Sequence, residues 1–290
     1  MNTFISILGG VVLCASVSTY GQQSGRVADE DRTETSGIRP SDPMPPEKEE
    51  IMKAPKQTLI YENAFNKSQP DWAVEMSEDW VMEGKGIAEC GKGYLSLRSE
   101  IFTVPRDKDG HFNFWLKRDF PANVAFEWEF RYAEPGDQGL AILIWAALGR
   151  NGEDLFDPRL PERRGEVMSD FTMGAIHCYH TSYIARGRKE ANLRKNYGFH
   201  LLTKGHDLST VSHPGEWHVI RVEQYHGTLR LLFDGKESYR YVDDGTVGGP
   251  RIEAGGKMGF RQQNNLYRGD YRHFRVYSLH ETADAGDRSP

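Results

Sequence analysis

Between residues 59 and 279 the apolar side chains of this chain recur at every second position over short stretches, and they never hold a helical spacing for long. Residues 123–132, NVAFEWEFRY, are the clearest case: Val124, Phe126, Trp128 and Phe130 fall on one side, Ala125, Glu127, Glu129 and Arg131 on the other. Successive side chains of a strand point to opposite faces, so this stretch predicts a half-buried antiparallel strand. Residues 217–226 and 228–233 repeat the pattern around Gly227, with Ile220, Val222, Leu229, Leu231 and Phe233 inward, and predict a hairpin. Residues 255–263 and 270–279 add two strands, with Phe260, Phe274 and Val276 inward and Arg261 and Gln263 on the other face. Residues 139–148, GLAILIWAAL, are apolar on both faces, which places them centrally in a sheet. About a dozen such segments and no long amphipathic helix predict an all-β fold, an antiparallel β-sandwich of the jelly-roll kind.

At 290 residues and 38% hydrophobic content, one sizeable core is expected. Residues 4–17, FISILGGVVLCASV, followed by Ser18-Thr19-Tyr20-Gly21, have the outline of a secretory signal ending at residue 21. The run is shorter than the ~18 apolar residues of a membrane span, so export is expected and a membrane anchor is not. Residues 22–56 are polar and Pro-containing and read as a flexible linker, residues 57–280 as the sandwich domain, and residues 281–290 as a disordered tail. Export leaves Cys90 and Cys178, and Cys178 is expected as a buried free thiol. The net charge of -6 gives no general pull toward nucleic acid.

Ionisable and aromatic residues concentrate in residues 174–200. If Ile176, Cys178 and Ile184 point into the core, strand alternation gathers His177, Tyr179, Thr181 and Tyr183 on the opposite face and leaves His180 with the scaffold. A sheet face of this composition suits a saccharide, with rings stacking on pyranose faces and Arg, Asn, Gln and His bonding hydroxyls and carboxylates. His177, Tyr179, Tyr183, Arg194 and His200 are the expected catalytic residues; Asn192, Lys195, Arg261 and Gln263 are expected to bind substrate.

Three motifs are specific: Gly152-Glu153-Asp154-Leu155-Phe156-Asp157-Pro158, His177-x-Tyr179-His180-x-Ser182-Tyr183, and Asn192-Leu193-Arg194-Lys195-Asn196-x-Gly198-Phe199-His200. With the Trp-His-x-Ile-x-Val hairpin and the closing Phe-Arg-Val-Tyr, they resemble concanavalin A-like and laminin-G-like sandwiches, and more closely the YesU-like family of galectin-like jelly rolls, over roughly residues 59–279. The resemblance implies a link to the utilisation of pectin and other acidic polysaccharides.

Of the reactions such a surface could run, β-elimination on a uronate-containing polymer is expected first. It needs a cation or amide to neutralise the sugar carboxylate, a base for the C5 proton and an acid for the departing oxygen. Arg194 with Asn192, His177 or His200, and Tyr179 or Tyr183 are the respective candidates. The alternatives are a non-catalytic lectin-like module and a glycoside hydrolase. Hydrolysis normally needs two carboxyl groups roughly 5 to 9.5 Å apart. Glu127 and Glu129 share a strand face with Cα atoms about 6.5 to 7 Å apart. No cofactor is expected, although Glu153, Asp154 and Asp157 could offer oxygens to calcium. His177 and His180 point to opposite faces of one strand, a poor geometry for shared zinc ligation.

Overall fold

The computed structural model describes residues 54–68, 76–102, 110–133, 139–263 and 265–282. The signal segment and nearly all of the linker lie outside the described residues, as do residues 283–290 of the tail. In chain order the strands are β1 (Lys56–Asn63), β2 (Trp80–Gly84), β3 (Gly86–Cys90), β4 (Leu95–Ser99), β5 (Phe112–Phe120), β6 (Val124–Ala133) and β7 (Leu140–Gly149). A short helix, α1 (Met168–Thr172), precedes β8 (Ile176–Ala185), β9 (Glu190–Asn196), β10 (His200–His206), β11 (His218–Tyr225), β12 (Thr228–Phe233), β13 (Lys236–Val242), β14 (Gly256–Gln262) and β15 (Arg268–His280). No helix among the described residues is long and apolar enough to cross a membrane.

Two antiparallel sheets face each other. One runs β13-β12-β11-β6-β15-β4-β3 with β1 added on β15; the other runs β10-β9-β8-β7-β14-β5-β2. The jelly-roll sandwich expected from the alternation is the architecture found. The stretch that was apolar on both faces, β7, is the middle strand of the seven-stranded sheet. The β11–β12 hairpin pairs Ile220 with Phe233 and Val222 with Leu231, all buried.

Between the sheets lies an aromatic core. Trp80 stacks on Phe114 at 4.7 Å, and Trp128 meets Tyr183 and Phe260 edge-on at 5.2 and 5.3 Å. A second, smaller core of Trp115, Ile142, Ile144, Leu155, Phe171, Ile176 and Cys178 lies on the outer face of the seven-stranded sheet, under the segment that joins β7 to β8. This second layer overturns the face assignment drawn from alternation. Along β8, Ile176 and Cys178 join this outer core while Tyr179, Tyr183 and Ile184 join the core between the sheets, so an apolar residue did not by itself mark the inter-sheet side.

Tyr179, Thr181 and Tyr183 point between the sheets. Each buried hydroxyl finds a partner there, as burial requires: Tyr179 donates to Asp243 Oδ2 at 2.5 Å, Tyr183 bonds Tyr271 at 2.7 Å, and Thr181 Oγ1 accepts from Tyr239 at 2.7 Å. Burial raises both Tyr179 and Tyr183 far above the ordinary phenol range. Lys195, expected at the substrate, also points inward, with only 1% of its surface exposed. Its ammonium binds Asp243 at 2.8 Å and donates to the carbonyls of Val247 and Gly249 at 3.1 and 2.6 Å.

Tyr179, Lys195 and Asp243 thus join β8 and β9 of one sheet to the segment leaving β13 of the other. Removing one partner of a buried ion pair strands the other charge, at a cost of ~3–5 kcal/mol. Lys195→Met is expected to lower unfolding stability by that amount in urea denaturation. Lys195→Met/Asp243→Leu is expected to lose less than the sum of the two single changes, because no charge is then left unpaired.

Candidate functional site

His180 and Ser182 of β8 and Asn192 and Arg194 of β9 face outward, whereas Ile184 joins the core between the sheets. Cross-strand register sets Cys178 opposite Asn196 and His180 opposite Arg194, while the Ser182 hydroxyl accepts the Asn192 N–H at 2.9 Å. The segment between β7 and β8 covers part of this face. Buried Arg261 of β14 fastens it by donating to Gly165 O at 2.5 Å and lying 5.0 Å from the centre of the Phe171 ring, and Arg163 pairs with Glu83 at 3.3 Å. Gly165 is required by this close approach, since a Cβ there would lie 2.0 Å from Glu83 O.

Beside that roof a cavity of about 650 Å³ remains open. His180, Ser182, Asn192 and Arg194 of β8 and β9 line it, together with His111, Gln263, Arg188, Phe199, Glu166 and Met168 among others. Arg194 donates to Phe199 O at 2.8 Å, and its guanidinium lies 3.9 Å over the Phe199 ring. Neither Arg188 nor Arg194 has a carboxylate partner among the described residues. Burial, together with the neighbouring Arg188, lowers the Arg194 pKa. The Asn192 amide oxygen is buried and has no hydrogen-bond partner.

His180 lines this cationic pocket. Burial first, then Arg194, Arg261 and Arg188, lowers its pKa to about 3, so the imidazole is neutral at physiological pH. Asn196 Nδ2 lies 2.7 Å from His180 Nδ1, and with the amide nitrogen on that side the ring proton sits on Nε2. The ring is therefore a neutral hydrogen-bond donor, and it stacks on Phe199 at 5.8 Å.

The expected site residues divide. Asn192, Arg194 and Gln263 meet in the cavity. Arg261 lies beneath the roof, where it positions the covering segment and contributes charge. Tyr179, Tyr183 and Lys195 belong to the packing between the sheets. His177 lines a different groove, and the exposed His200 ring packs against Gly198 and Gly248, outside the cavity.

Sequence reading missed His180, Arg188, Phe199 and Ser182. The signal for two of them was present in β9: Ala191 and Leu193 alternate cleanly with Asn192 and Arg194, and extending that polar face across the hairpin register reaches Ser182 and His180.

The carboxylates named for other chemistry lie elsewhere. Glu127 and Glu129 occupy the outer face of the other sheet, paired with Arg221 at 2.9 Å and with Arg272. Glu153 accepts from Asn151, Asp154 from Lys257, and Asp157 from Arg159. Among the described residues no three His, Cys, Asp or Glu side chains are grouped to hold a metal ion. Cys90 and Cys178 are buried free thiols, and burial pushes Cys178 up to about 12.

Residues 58–276 match the family model described as Domain of unknown function (DUF1961). The chain belongs to this family. It is 33% identical over 207 residues to the Bacillus subtilis (strain 168) protein YesU, covering 69% of this chain and 89% of that protein. A Bacillus subtilis structure with a galectin-like fold matches with a TM-score of 0.66 and 29% identity, over 79% of this chain and 100% of that one. The laminarinase catalytic domain of Thermotoga maritima shares the fold with a TM-score of 0.51 at 12% identity, over 77% of this chain and 98% of that one. Membership of the YesU-like family and the galectin-like sandwich, both expected from the motifs, hold.

The depressed His180 pKa has a consequence for stability. Below the ordinary value near 6.5 the unfolded histidine takes up a proton that the folded one refuses until about pH 3. Stability from this group is therefore full above pH ~6.5 and falls with acid by up to about 1.4 kcal/mol per pH unit. His180→Gln is expected to flatten the acid limb of a stability–pH curve between pH 6.5 and 3, and NMR of the parent protein is expected to show His180 as the neutral Nε2–H tautomer at pH 5.

Proposed function

We propose that this protein binds a carboxylate-bearing saccharide, a uronate unit of an acidic oligo- or polysaccharide, in the cavity over β8 and β9. The observation that carries the reading is the convergence of Arg188 and Arg194, neither with a carboxylate partner among the described residues, on one cavity. Arg194 is half-buried and Arg188 exposed; two like charges brought together repel, and a ligand anion offsets that repulsion. Arg194 supplies planar paired donors suited to a carboxylate. The Asn192 amide oxygen, buried without a partner, accepts from a sugar hydroxyl, and neutral His180 donates from Nε2. The exposed Phe199 ring offers an apolar platform to a pyranose face. Export places the protein where such polymers occur; the apolar run at residues 4–17 supports this.

A second reading is β-elimination at the same site, favoured by Glu166, which lines the cavity. With the carboxylate neutralised by Arg194 and Asn192, Glu166 would take the C5 proton, the C4–O bond would break as the C4–C5 double bond forms, and the departing oxygen would draw its proton from water or through the His180 Nε2–H. The Tyr acids expected from sequence are replaced here because both hydroxyls are used in the core.

Calorimetry with oligogalacturonates tests the first reading. Wild type is expected to bind them in preference to neutral oligosaccharides, and Arg194→Ala is expected to weaken binding roughly 10- to 100-fold, the worth of a charge-assisted hydrogen bond of ~1.5–3 kcal/mol. Equal affinity for neutral and acidic oligomers would count against it. For the second reading, ultraviolet absorbance from an unsaturated product that disappears in Glu166→Gln is the expected result. Binding without product at any protein loading leaves the module reading alone.

A further inference from the structure

The turn between β9 and β10 carries two exposed rings flanking Gly198: Tyr197 is 39% exposed and Phe199 is 40% exposed. Each ring has a guanidinium laid over it. Arg194 lies 3.9 Å from the centre of Phe199 inside the cavity, and Arg150 lies 4.0 Å from the centre of Tyr197 outside it. Tyr197 and Arg150 form part of a separate open groove of about 400 Å³, which His177 and Arg251 also line. The turn is held in place, since the Gly198 N–H donates to Thr172 O of α1 at 2.8 Å and the His200 ring fills the space between Gly198 and Gly248. Both platforms therefore stand on one fixed support, and the cavity and the groove flank the same short turn.

The groove repeats the chemistry of the cavity. Arg251 is satisfied by Glu253 and Lys195 by Asp243, whereas Arg150 has no carboxylate partner among the described residues. His177 is held toward its neutral form by burial, with Glu153 opposing, so it can exchange hydrogen bonds with hydroxyls. An exposed ring, a cation available to an anion and a neutral imidazole are the same three kinds of group that Phe199, Arg194 and His180 supply across the turn.

We infer that the groove of Tyr197, Arg150 and His177 is a second saccharide subsite, and that the ligand is an acidic oligosaccharide crossing the β9–β10 turn. Tyr197 takes a pyranose face, Arg150 a carboxylate, and His177 a hydroxyl of the unit beyond the one in the cavity. This rests on the cavity being an acidic-sugar site, and it adds that recognition depends on chain length.

The test is calorimetry with galacturonic acid and its di-, tri- and hexamers on wild type, Tyr197→Ala and Arg150→Ala, both changes being at exposed side chains. Wild-type affinity is expected to rise roughly tenfold or more from monomer to trimer, equivalent to about 1.4 kcal/mol. Each variant is expected to lose most of that gain and to bind the monomer as wild type does. Monomer binding with no gain in length, or a gain that both variants retain, overturns the second subsite while leaving the cavity reading intact. Failure of every acidic oligomer to bind wild type overturns both. His177→Ala is expected to reduce the same gain without affecting the monomer.

Discussion

The buried ammonium of Lys195 and the carboxylate of Asp243 hold the two sheets in register at the end of the sandwich where the site is built. Charges this deep are tolerated only when their remaining hydrogen-bonding capacity is met. Here it is met by Tyr179, the Gly245 N–H and the carbonyls of Val247 and Gly249. Because Lys195 must point inward to reach Asp243, its neighbours Arg194 and Asn196 must point outward. The turn carrying Tyr197 and Phe199 begins immediately after. One buried ion pair thus sets the facing of β9, and through β9 the lining of the cavity.

The outer face would be an ordinary solvated sheet surface without its covering segment. Trp115, Ile142, Phe171 and Ile176 give that segment an apolar seat, while Arg261 and the Glu83–Arg163 pair pin it. Burial raises the Glu83 pKa, with Arg163 and the Trp115 N–H opposing. What the roof leaves open is a pocket in which Arg188 and Arg194 have no carboxylate partner among the described residues and His180 is kept neutral. Arg188 is exposed and Arg194 half-buried, so both guanidiniums stand open to an incoming anion, while His180 beneath them is buried.

Most of the fold was legible in the chain because its physical signal is local. The alternation in β6, the hairpin around Gly227 and the doubly apolar β7 each follow from side-chain period and burial. The site was half legible. Asn192 and Arg194 were found because β9 alternates cleanly, and Gln263 because Phe260 fixed the facing of β14. Tyr179, Tyr183 and Lys195 were misplaced because a polar tip on a large side chain looks the same whether it meets water or a buried partner, and each partner lies at least 48 residues away in sequence. His180 was assigned to the scaffold for the mirror-image reason, since the apolar residues beside it serve the second core.

The sequence by itself determined the strands, the hairpins, the sandwich and the family, all of which depend on periodicity and short motifs. Which face of β8 and β9 carries the site was decided only in the tertiary structure. Strand alternation defines two faces but does not say which one another sheet will cover, and here both are covered, one by a sheet and the other by a folded segment. The choice was made by long-range contacts: Lys195 with Asp243, Tyr183 with Tyr271, and Arg261 with Gly165.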